Sequence, residues 1–486
     1  MKGHWIDNKW VLSKSQETIS VRNPATEEVL EQVPSGTEAD VQRAVESAKA
    51  AFEIWRKTPA IDRANMLHEA SAKMRANWTE LVELLTLEEG KPVSENEEEL
   101  EWVAGTFDYY AELGRHYRGR VLPSPEPENQ LNLVLKEPYG VVGCIIPWNF
   151  PLLLMAWKVA PALAAGNTVV IKPSEMTPLS TLFMAEKCFD HFPPGVVNVI
   201  TGYGVPVGEA LVTHPEVPVI AFTGSLKTGQ RISQQAAPMI KHLHLELGGK
   251  DAFVVGPDID IESSVKALAY SALINCGQVC TSTERVYVAE NVSKDFIEAL
   301  VEQVKSLRLG PGIEPTTDIG PMIGNQYREK FETHIQDAQS RGAEILTGGR
   351  RPPKFERGFF YEPTVLTGVD HSMLIMSEET FGPAIPLMTY KTFDEAINLV
   401  NDNQYGLGAV LRSNDARLVK TFFEEVRAGT IWINDPLTDN YAGPFGGMKM
   451  SGNARELGLE GLDSFLETKH VHWDFSPEAK DWWYPY

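Results

Sequence analysis

The sequence predicts an α/β protein built on doubly wound parallel sheets. Three observations carry that prediction. Between residues 140 and 247, short apolar runs alternate with helix-length segments. A second alternating block runs from about 251 to 445. The chain has 486 residues, more than one core accommodates, so two or three domains are expected.

Taken in order, residues 38–57 read as an amphipathic helix, with Val41, Ala44, Val45, Ala48, Ala51, Phe52 and Trp55 at helical spacing. Helical periodicity continues over 62–89 and again over 92–117, whose outer face is rich in glutamate. The acidic run from Glu95 to Glu101, broken by Asn96 and Leu100, reads as a solvated helix face and not a binding site. Residues 121–125 form an extended, proline-containing linker. Residues 130–135 alternate as an exposed strand does, and such a strand has an edge in need of a partner.

From 140 onward the expected order is strand 140–146, helix 152–165, strand 168–171, helix 179–191, strand 196–200, helix 207–212, strand 217–222, helix 227–237 and strand 242–247. Ligands of such sheets bind beyond the carboxyl ends of the strands. The second block holds helices near 260–275, 293–306, 326–341, 393–402 and 415–427. Residues 464–486 form a tail ending Asp481-Trp482-Trp483-Tyr484-Pro485-Tyr486, read as packed on a neighbouring subunit because free aromatics would be an exposed apolar patch.

Composition narrows the function. Lys plus Arg is 44 and Asp plus Glu 66, so the formal charge is 44 − 66 = −22. Such a surface repels nucleic-acid phosphates and anionic lipid, and neither partner is expected. Apolar runs such as 152–156 are interrupted by Trp157-Lys158, far short of a membrane span. The N-terminus, Met1-Lys2-Gly3-His4-Trp5, lacks signal-peptide or transit character. Four cysteines, Cys144, Cys188, Cys276 and Cys280, are too few for a disulfide framework, and a reducing cytoplasm fits best.

Several segments carry chemistry. Phe222-Thr223-Gly224-Ser225 follows a strand and opens a helix: Gly224 lets backbone approach a diphosphate, and Ser225 adds a hydroxyl at the positive end of the helix dipole, although a plain helix cap explains it equally well. Lys172-Pro173-Ser174-Glu175 lies at the carboxyl end of the 168–171 strand. A cation and a carboxylate there grip ribose hydroxyls, and the carboxylate disfavours a 2′-phosphate, so NAD is favoured over NADP; a surface charge pair is the rival reading. Cys280, in Asn275-Cys276-Gly277-Gln278-Val279-Cys280, follows a Gly-Gln kink that ends the 260–275 helix and presents the thiol in a loop. A thiolate is nucleophilic near neutral pH and forms a hydrolysable thioester.

Glu246, flanked by leucines at the end of a strand and followed by Gly248-Gly249, is poorly solvated, so its pKa rises toward the range of a general base for water. Asn149, between Pro147-Trp148 and Phe150-Pro151, is placed to donate to an oxyanion, while asparagine beside proline is also a common turn residue. His242, His244 and Glu246 share a strand face at a spacing that could hold a metal, but no further ligand cluster accompanies them, and no metal is expected. A metal-dependent hydrolase stays open as a competing class, to be told apart by chelator sensitivity without NAD dependence.

In order along the chain, P-W-N-F-P (147–151), K-P-S-E (172–175), F-T-G-S (222–225), E-L-G-G-K (246–250), N-C-G-Q-V-C (275–280), E-E-T-F-G-P (378–383) and P-F-G-G-M-K-M-S-G (444–452) closely resemble the NAD(P)-dependent aldehyde dehydrogenase superfamily, over essentially the whole sequence. The resemblance implies a Rossmann-like NAD-binding domain (1–120 and 139–247), an α/β catalytic domain (248–463) and a small β oligomerisation arm with its tail (121–138 and 464–486). It implies a homodimer or homotetramer that oxidises a small-molecule aldehyde to the acid with NAD. Cys280 would be the nucleophile, Glu246 the base that activates deacylating water, and Asn149 with the Cys280 N–H the oxyanion hole. Pro147, Trp148, Lys172, Ser174, Glu175, Gly204, Gly224, Ser225, Leu247, Glu379 and Phe381 would hold the cofactor, and Glu456 would serve a proton relay. A base at 246 argues for hydrolysis over transfer to coenzyme A.

Phe150, Trp157, Ile274, Val279, Thr281 and Phe445 would line the aldehyde tunnel. Two aromatics and an aliphatic wall favour an apolar or aromatic aldehyde; because aromatic rings also cage quaternary ammonium, betaine aldehyde or an aminoaldehyde is the alternative. Against an inactive structural relative stands the presence of Cys280, Glu246 and Asn149 together. Two departures are visible: Ala454 replaces a glycine in Ser451-Gly452-Asn453-Ala454-Arg455-Glu456, and Cys276, expected to pack, sits where other residues are common.

Overall fold

A computed structural model of the chain describes residues 3–476 and 478–484; Met1 and Lys2 of the N-terminal segment, Pro477, and Pro485-Tyr486 of the tail lie outside the described residues. The alternation of apolar runs and helices resolves into two seven-stranded sheets. In the first, the order is His242–Glu246, Val219–Thr223, Val141–Ile145, Thr168–Lys172, Val197–Val199, then the N-terminal hairpin His4–Ile6 and Lys9–Val11. The first five strands run parallel, and the hairpin adds antiparallel. Strand Val141–Ile145 sits centrally and is buried throughout, with later strands on both sides. That makes its carboxyl end the switch point where a crevice opens.

The second sheet runs Glu344–Thr347, Thr364–Thr367, Ala384–Tyr390, Thr283–Ala289, Asp251–Val255, Gly408–Arg412, Thr430–Ile433, parallel except at its first strand. One extensive apolar cluster underlies both sheets. Buried carboxylates of neighbouring helices cap two helices that cover the first sheet. Glu99 accepts from Leu152 N and Leu153 N, both 3.0 Å, at the start of Pro151–Ala165. Glu88 accepts from Leu179 N and Ser180 N at the start of Leu179–Lys187. Each carboxylate meets the positive end of a helix dipole.

Three readings need correction. The continuous 62–89 helix is two helices, Ala60–Ala76 and Trp78–Glu89, hinged at Asn77, which closes one and opens the next. The helix expected at 207–212 is Glu209–Thr213, preceded by an irregular turn at Gly204–Gly208. The edge of the 130–135 strand is satisfied within the chain: Gln130–Pro138 lies between Arg120–Leu122 and Leu466–Asp474, and the latter is part of the segment read as a tail on a neighbour.

Candidate active site

The sequence just before Cys280 folds against the grain of an L-polypeptide. Helix Ile261–Leu273 ends two residues before the expected 275, and Asn275, Cys276 and Gly277 follow with φ of 48°, 56° and 73°. Left-handed residues in succession are costly and persist only where their surroundings fix them. Asn275 supplies the fixation: its N–H donates to Glu95 Oε2 (2.9 Å), and its Nδ2 donates to Glu89 Oε1 (3.0 Å) and Asn149 O (2.8 Å). The buried Asn149 in turn donates Nδ2 to Gln278 O at 3.1 Å, so the 149 and 275–280 segments are tied together. Beneath them Lys91 is fully buried, pairs with Glu99 and with Glu89 (3.2 Å), and holds its ammonium 3.8 Å from the centre of the Phe150 ring.

The thiol stands where two cavities meet. One is an apolar tunnel bounded by Phe150, Trp157, Ile274, Val279, Thr281 and Phe445, the six residues expected there, with the Trp157 and Phe445 rings 4.9 Å apart. The other is a cleft at the carboxyl ends of the first sheet's strands, and all eleven expected cofactor residues line it: Pro147, Trp148, Lys172, Ser174, Glu175, Gly204, Gly224, Ser225, Leu247, Glu379 and Phe381. Among the described residues, Cys280 is the one common to both linings. Burial first, then the carboxylates of Asp251, Glu246, Glu379 and Asp439, push its thiol well above the usual range. Cys144 and Cys188, by contrast, lie in the core away from either cavity, and all four cysteines are free; Cys276 packs in the core as expected.

The cleft suits a dinucleotide. Ser225 caps helix Leu226–Ala236, accepting from Thr228 N at 3.3 Å, so the helix start and its free N–H groups face the cavity. A Cβ on Gly204 would meet nothing within 4 Å, which leaves its backbone open to a ligand. Lys172 is buried, donates to Pro173 O and Gly202 O, and lies 3.8 Å from the half-buried Glu175. Glu379 accepts from Gly249 N (3.2 Å), and burial pushes its carboxyl up to about 7. Phe381, at φ 55°, sets its ring edge-on to Trp148, whose Nε1 donates to Tyr327 OH. Tyr327 and Lys330 line the same cleft and carry no motif that would have marked them in the sequence.

Glu246 lines neither cavity. It is 3% exposed at the end of its strand, and burial followed by repulsion from Glu456 raises its carboxyl well above the usual range. Glu456 behaves oppositely: against the cost of its burial, ion pairing with Lys158 and contact with His244 hold it low. Lys158, a lysine in an otherwise apolar helix, is a site residue the sequence reading passed over, and its burial in an apolar run was the available signal. The 445–456 segment is stitched to the strand that ends in Glu246 through Leu247 N to Ser451 O (2.9 Å) and Leu245 N to Asn453 Oδ1 (3.1 Å). Ala454 there is buried and not at positive φ, so the glycine it replaces is not needed for conformation.

The acidic run is the main correction. Glu95, Glu98 and Glu99 line the tunnel together with Asp439 and Trp102. A helix face judged by charge alone looks solvated; here the 93–116 helix lies along the tunnel and turns part of that face inward. Burial pushes Glu95 and Asp439 each up to about 7. His242 and His244 do not share a ligand: His242 stacks on Tyr139, and His244 stacks on Phe465. Among the described residues no group of three or more His, Cys, Asp or Glu could hold a metal ion.

A strand-end cleft meeting an apolar tunnel is an arrangement suited to a nucleotide-dependent dehydrogenase. The comparisons with known proteins agree. The model of the aldehyde dehydrogenase family matches residues 10–471. The chain is 40% identical over 487 residues to a chloroplastic aminoaldehyde dehydrogenase of Arabidopsis thaliana, covering 99% of this chain and 97% of that protein. It is 41% identical over 492 residues to betaine aldehyde dehydrogenase 1 of Oryza sativa subsp. japonica, covering 100% and 97%. The crystal structure of a betaine aldehyde dehydrogenase from Staphylococcus aureus in complex with NAD+ superposes with a TM-score of 0.97 at 37% identity, covering 99% of this chain and 96% of that one. The chain belongs to the aldehyde dehydrogenase family, and it is an NAD-dependent oxidoreductase that converts an aldehyde to an acid.

Proposed function

We propose that Cys280 is the nucleophile, that Asn149 and the Cys280 N–H stabilise the oxyanion, and that Glu246 activates the water that releases the acid. The observation that carries this is the position of Cys280, among the described residues the one shared by the tunnel and the cleft. An aldehyde entering by the tunnel meets the sulfur with its carbonyl beside Asn149; the Cys280 sulfur, its proton given up to solvent, adds to the carbonyl carbon as the C=O π pair moves onto the oxygen. Lys172, Glu175, Ser225 and Glu379 would hold NAD in the cleft, where it would supply the acceptor for the hydride of the former aldehyde carbon. A thioester on Cys280 remains. Glu246 must then turn from its buried position toward the thiol to take a proton from water. Glu175 at the ribose end favours NAD over NADP.

The substrate reading follows from the tunnel wall. Aromatic and aliphatic residues surround its body, and Glu95, Glu98 and Asp439 add carboxylates. An aldehyde with an apolar body and a cationic far end satisfies both, in keeping with the aminoaldehyde and betaine aldehyde dehydrogenases it is similar to. An apolar or aromatic aldehyde is the second reading, supported by the apolar wall itself. One assay separates them: betaine aldehyde against 3,3-dimethylbutanal, its uncharged isostere, with wild-type enzyme and Cys280→Ala. We expect kcat/KM at least about tenfold higher for the cation, since a close charge pair is worth about 1.4 kcal/mol or more in a partly buried site. We also expect no NADH from Cys280→Ala. Equal kcat/KM for the pair would sink the cationic reading, and turnover by Cys280→Ala would remove the nucleophile.

The free cysteines suit a reducing compartment, for which the cytoplasm is proposed. Among the described residues no helix is long and apolar enough to cross a membrane. The strand Gln130–Pro138 and its partners are proposed to join copies of the chain into a dimer or tetramer.

A further inference from the structure

Two loops wall the end of the cleft that adjoins Cys280, and a buried carboxylate outside the reaction scheme joins them. Gly249 donates its N–H to Glu379 Oε1 (3.2 Å), and a Cβ on Gly249 would stand 2.4 Å from Cys280 O, so Glu379 marks the thiol's end of the cleft. Glu379, Thr380 and Phe381 form one wall there, and Leu247 and Gly248 belong to the other. Glu284 lines neither cavity and is buried behind both. It lies on strand Thr283–Ala289, where the register with Asp251–Val255 passes over it: Asp251 pairs with Thr283, and Ala252 with Arg285. A residue left out of register aims its side chain away from the regular alternation. Glu284 aims at the 379–381 loop. Its Oε2 accepts from Thr380 N (2.8 Å) and its Oε1 from Phe381 N (2.7 Å). Lys250, fully buried, donates to Glu284 Oε2 (2.7 Å) and to Thr380 Oγ1 (2.9 Å), and Arg285 Nε donates to Lys250 O (2.8 Å).

We infer that Glu284 is a positioning residue for the nicotinamide half of the cofactor: its carboxylate clamps Thr380 N and Phe381 N to Lys250 and so fixes the distance between the two walls. The inference rests on the reading of the cleft as the NAD site, with its nicotinamide end beside Cys280. The hydride acceptor must lie next to the sulfur that holds the substrate carbon, which puts that end at Glu379 and Phe381. Phe381 stands at φ 55°, a conformation an L-residue keeps only where its surroundings impose it. Glu284 imposes it by taking two successive N–H groups at once, and charge-assisted bonds of this kind are the strong ones. Lys250 carries the restraint across to the segment that holds Leu247 and Gly248. The adenosine end, at Lys172, Glu175 and Ser225, has no part in this brace.

The test separates the two halves of the cofactor in the full-length enzyme. Glu284→Gln keeps the side chain's length but turns one acceptor into an NH₂ facing an N–H or the Lys250 ammonium. The Kd of NAD, read by calorimetry, is expected to rise about tenfold, the loss of one hydrogen bond to a charged group, while that of AMP stays within about twofold. The NADH burst at saturating NAD is expected to slow at least about tenfold, because a slightly displaced ring loses its alignment with the substrate carbon. In the apoenzyme the Thr380 and Phe381 amides are expected to exchange with deuterium about tenfold faster than in wild type. Glu284→Asp, which keeps the charge, is expected to recover part of the NAD affinity. Wild-type NAD affinity and burst rate in Glu284→Gln overturn the inference, even if the variant melts at a lower temperature, and so does an equal rise in the Kd of NAD and of AMP. Should the single variant not fold, Glu284→Gln combined with Lys250→Met strands no charge and carries the same expectations. Wild-type Thr380 and Phe381 amides that exchange as fast as an exposed loop overturn the inference without any variant. Glu379→Ala keeps the two failures apart. If it binds NAD with the wild-type Kd, the reading of that end of the cleft fails and takes the inference with it. If it binds NAD weakly while Glu284→Gln does not, only the role of Glu284 fails.

Discussion

Among the ionisable side chains of the tunnel, Glu95 and Asp439 have the property most useful to an experimenter: burial lifts both to about 7. The sign of the resulting pH dependence is fixed. Above pH 7 both are carboxylates and attract a cation; below it both are neutral acids and do not. A bound cation favours the ionised forms, so binding and proton release are linked. KM for betaine aldehyde is therefore expected to rise about three- to tenfold between pH 8 and pH 6, while KM for 3,3-dimethylbutanal stays flat. Parallel pH dependence for the two aldehydes would mean that these carboxyls do not sense the substrate. Glu98, on the exposed rim, adds attraction that salt screens.

At the scale of elements, the loop that carries Cys280 is held by contacts that leave no room for alternatives. Gly277 is at φ 73°, and a Cβ there would stand 2.3 Å from Gly382 O. Gly277→Ala combines a strained conformation with a backbone clash, together about 2–4 kcal/mol. Chemical denaturation is expected to show that loss, and kcat to fall with it, because Gln278 O and Asn149 move when residue 277 moves. Stability within about 0.5 kcal/mol of wild type would show that the loop has slack the geometry does not suggest. What the sequence made legible at this scale follows from what is local. The strand–helix alternation of 140–247, the strand-end positions of Lys172, Gly224 and Asn149, and the loop presentation of Cys280 all depend on neighbours in the chain. The hinge at Asn77 was hidden because an asparagine inside a helical pattern is no breaker by composition. The inward turn of Glu95 and Glu99, the burial of Lys91 and Lys158, and the meeting of His244 with Glu456 depend on elements distant in sequence, and periodicity cannot place those.

At the scale of the whole molecule, the three-stranded arm presents a face that a lone chain leaves wet. Direct pairing sets Leu133 opposite both Val121 and Val471, and Leu131 opposite Trp473; directly paired residues share a face, and alternation adds Leu135. Val121 is 68% exposed and Trp473 56%, while the opposite face, with Asn132 and Val134, is buried against the chain's own body. Among the described residues, the outer edge of Leu466–Asp474 is also unpaired in the sheet order. An apolar face beside an open edge is what a stable monomer avoids and what a closed, symmetric assembly consumes. If copies of the chain meet through this arm, a charge at its centre must break the assembly and not the fold. Leu133→Asp combined with Trp473→Asp is therefore expected to sediment as a 54.0 kDa species with unchanged far-ultraviolet circular dichroism, and the wild-type enzyme is expected to sediment as a multiple of that mass. Wild-type protein that is itself monomeric at micromolar concentration, or a double variant that keeps its oligomeric mass, would place the interface elsewhere and leave the arm's apolar face to another partner.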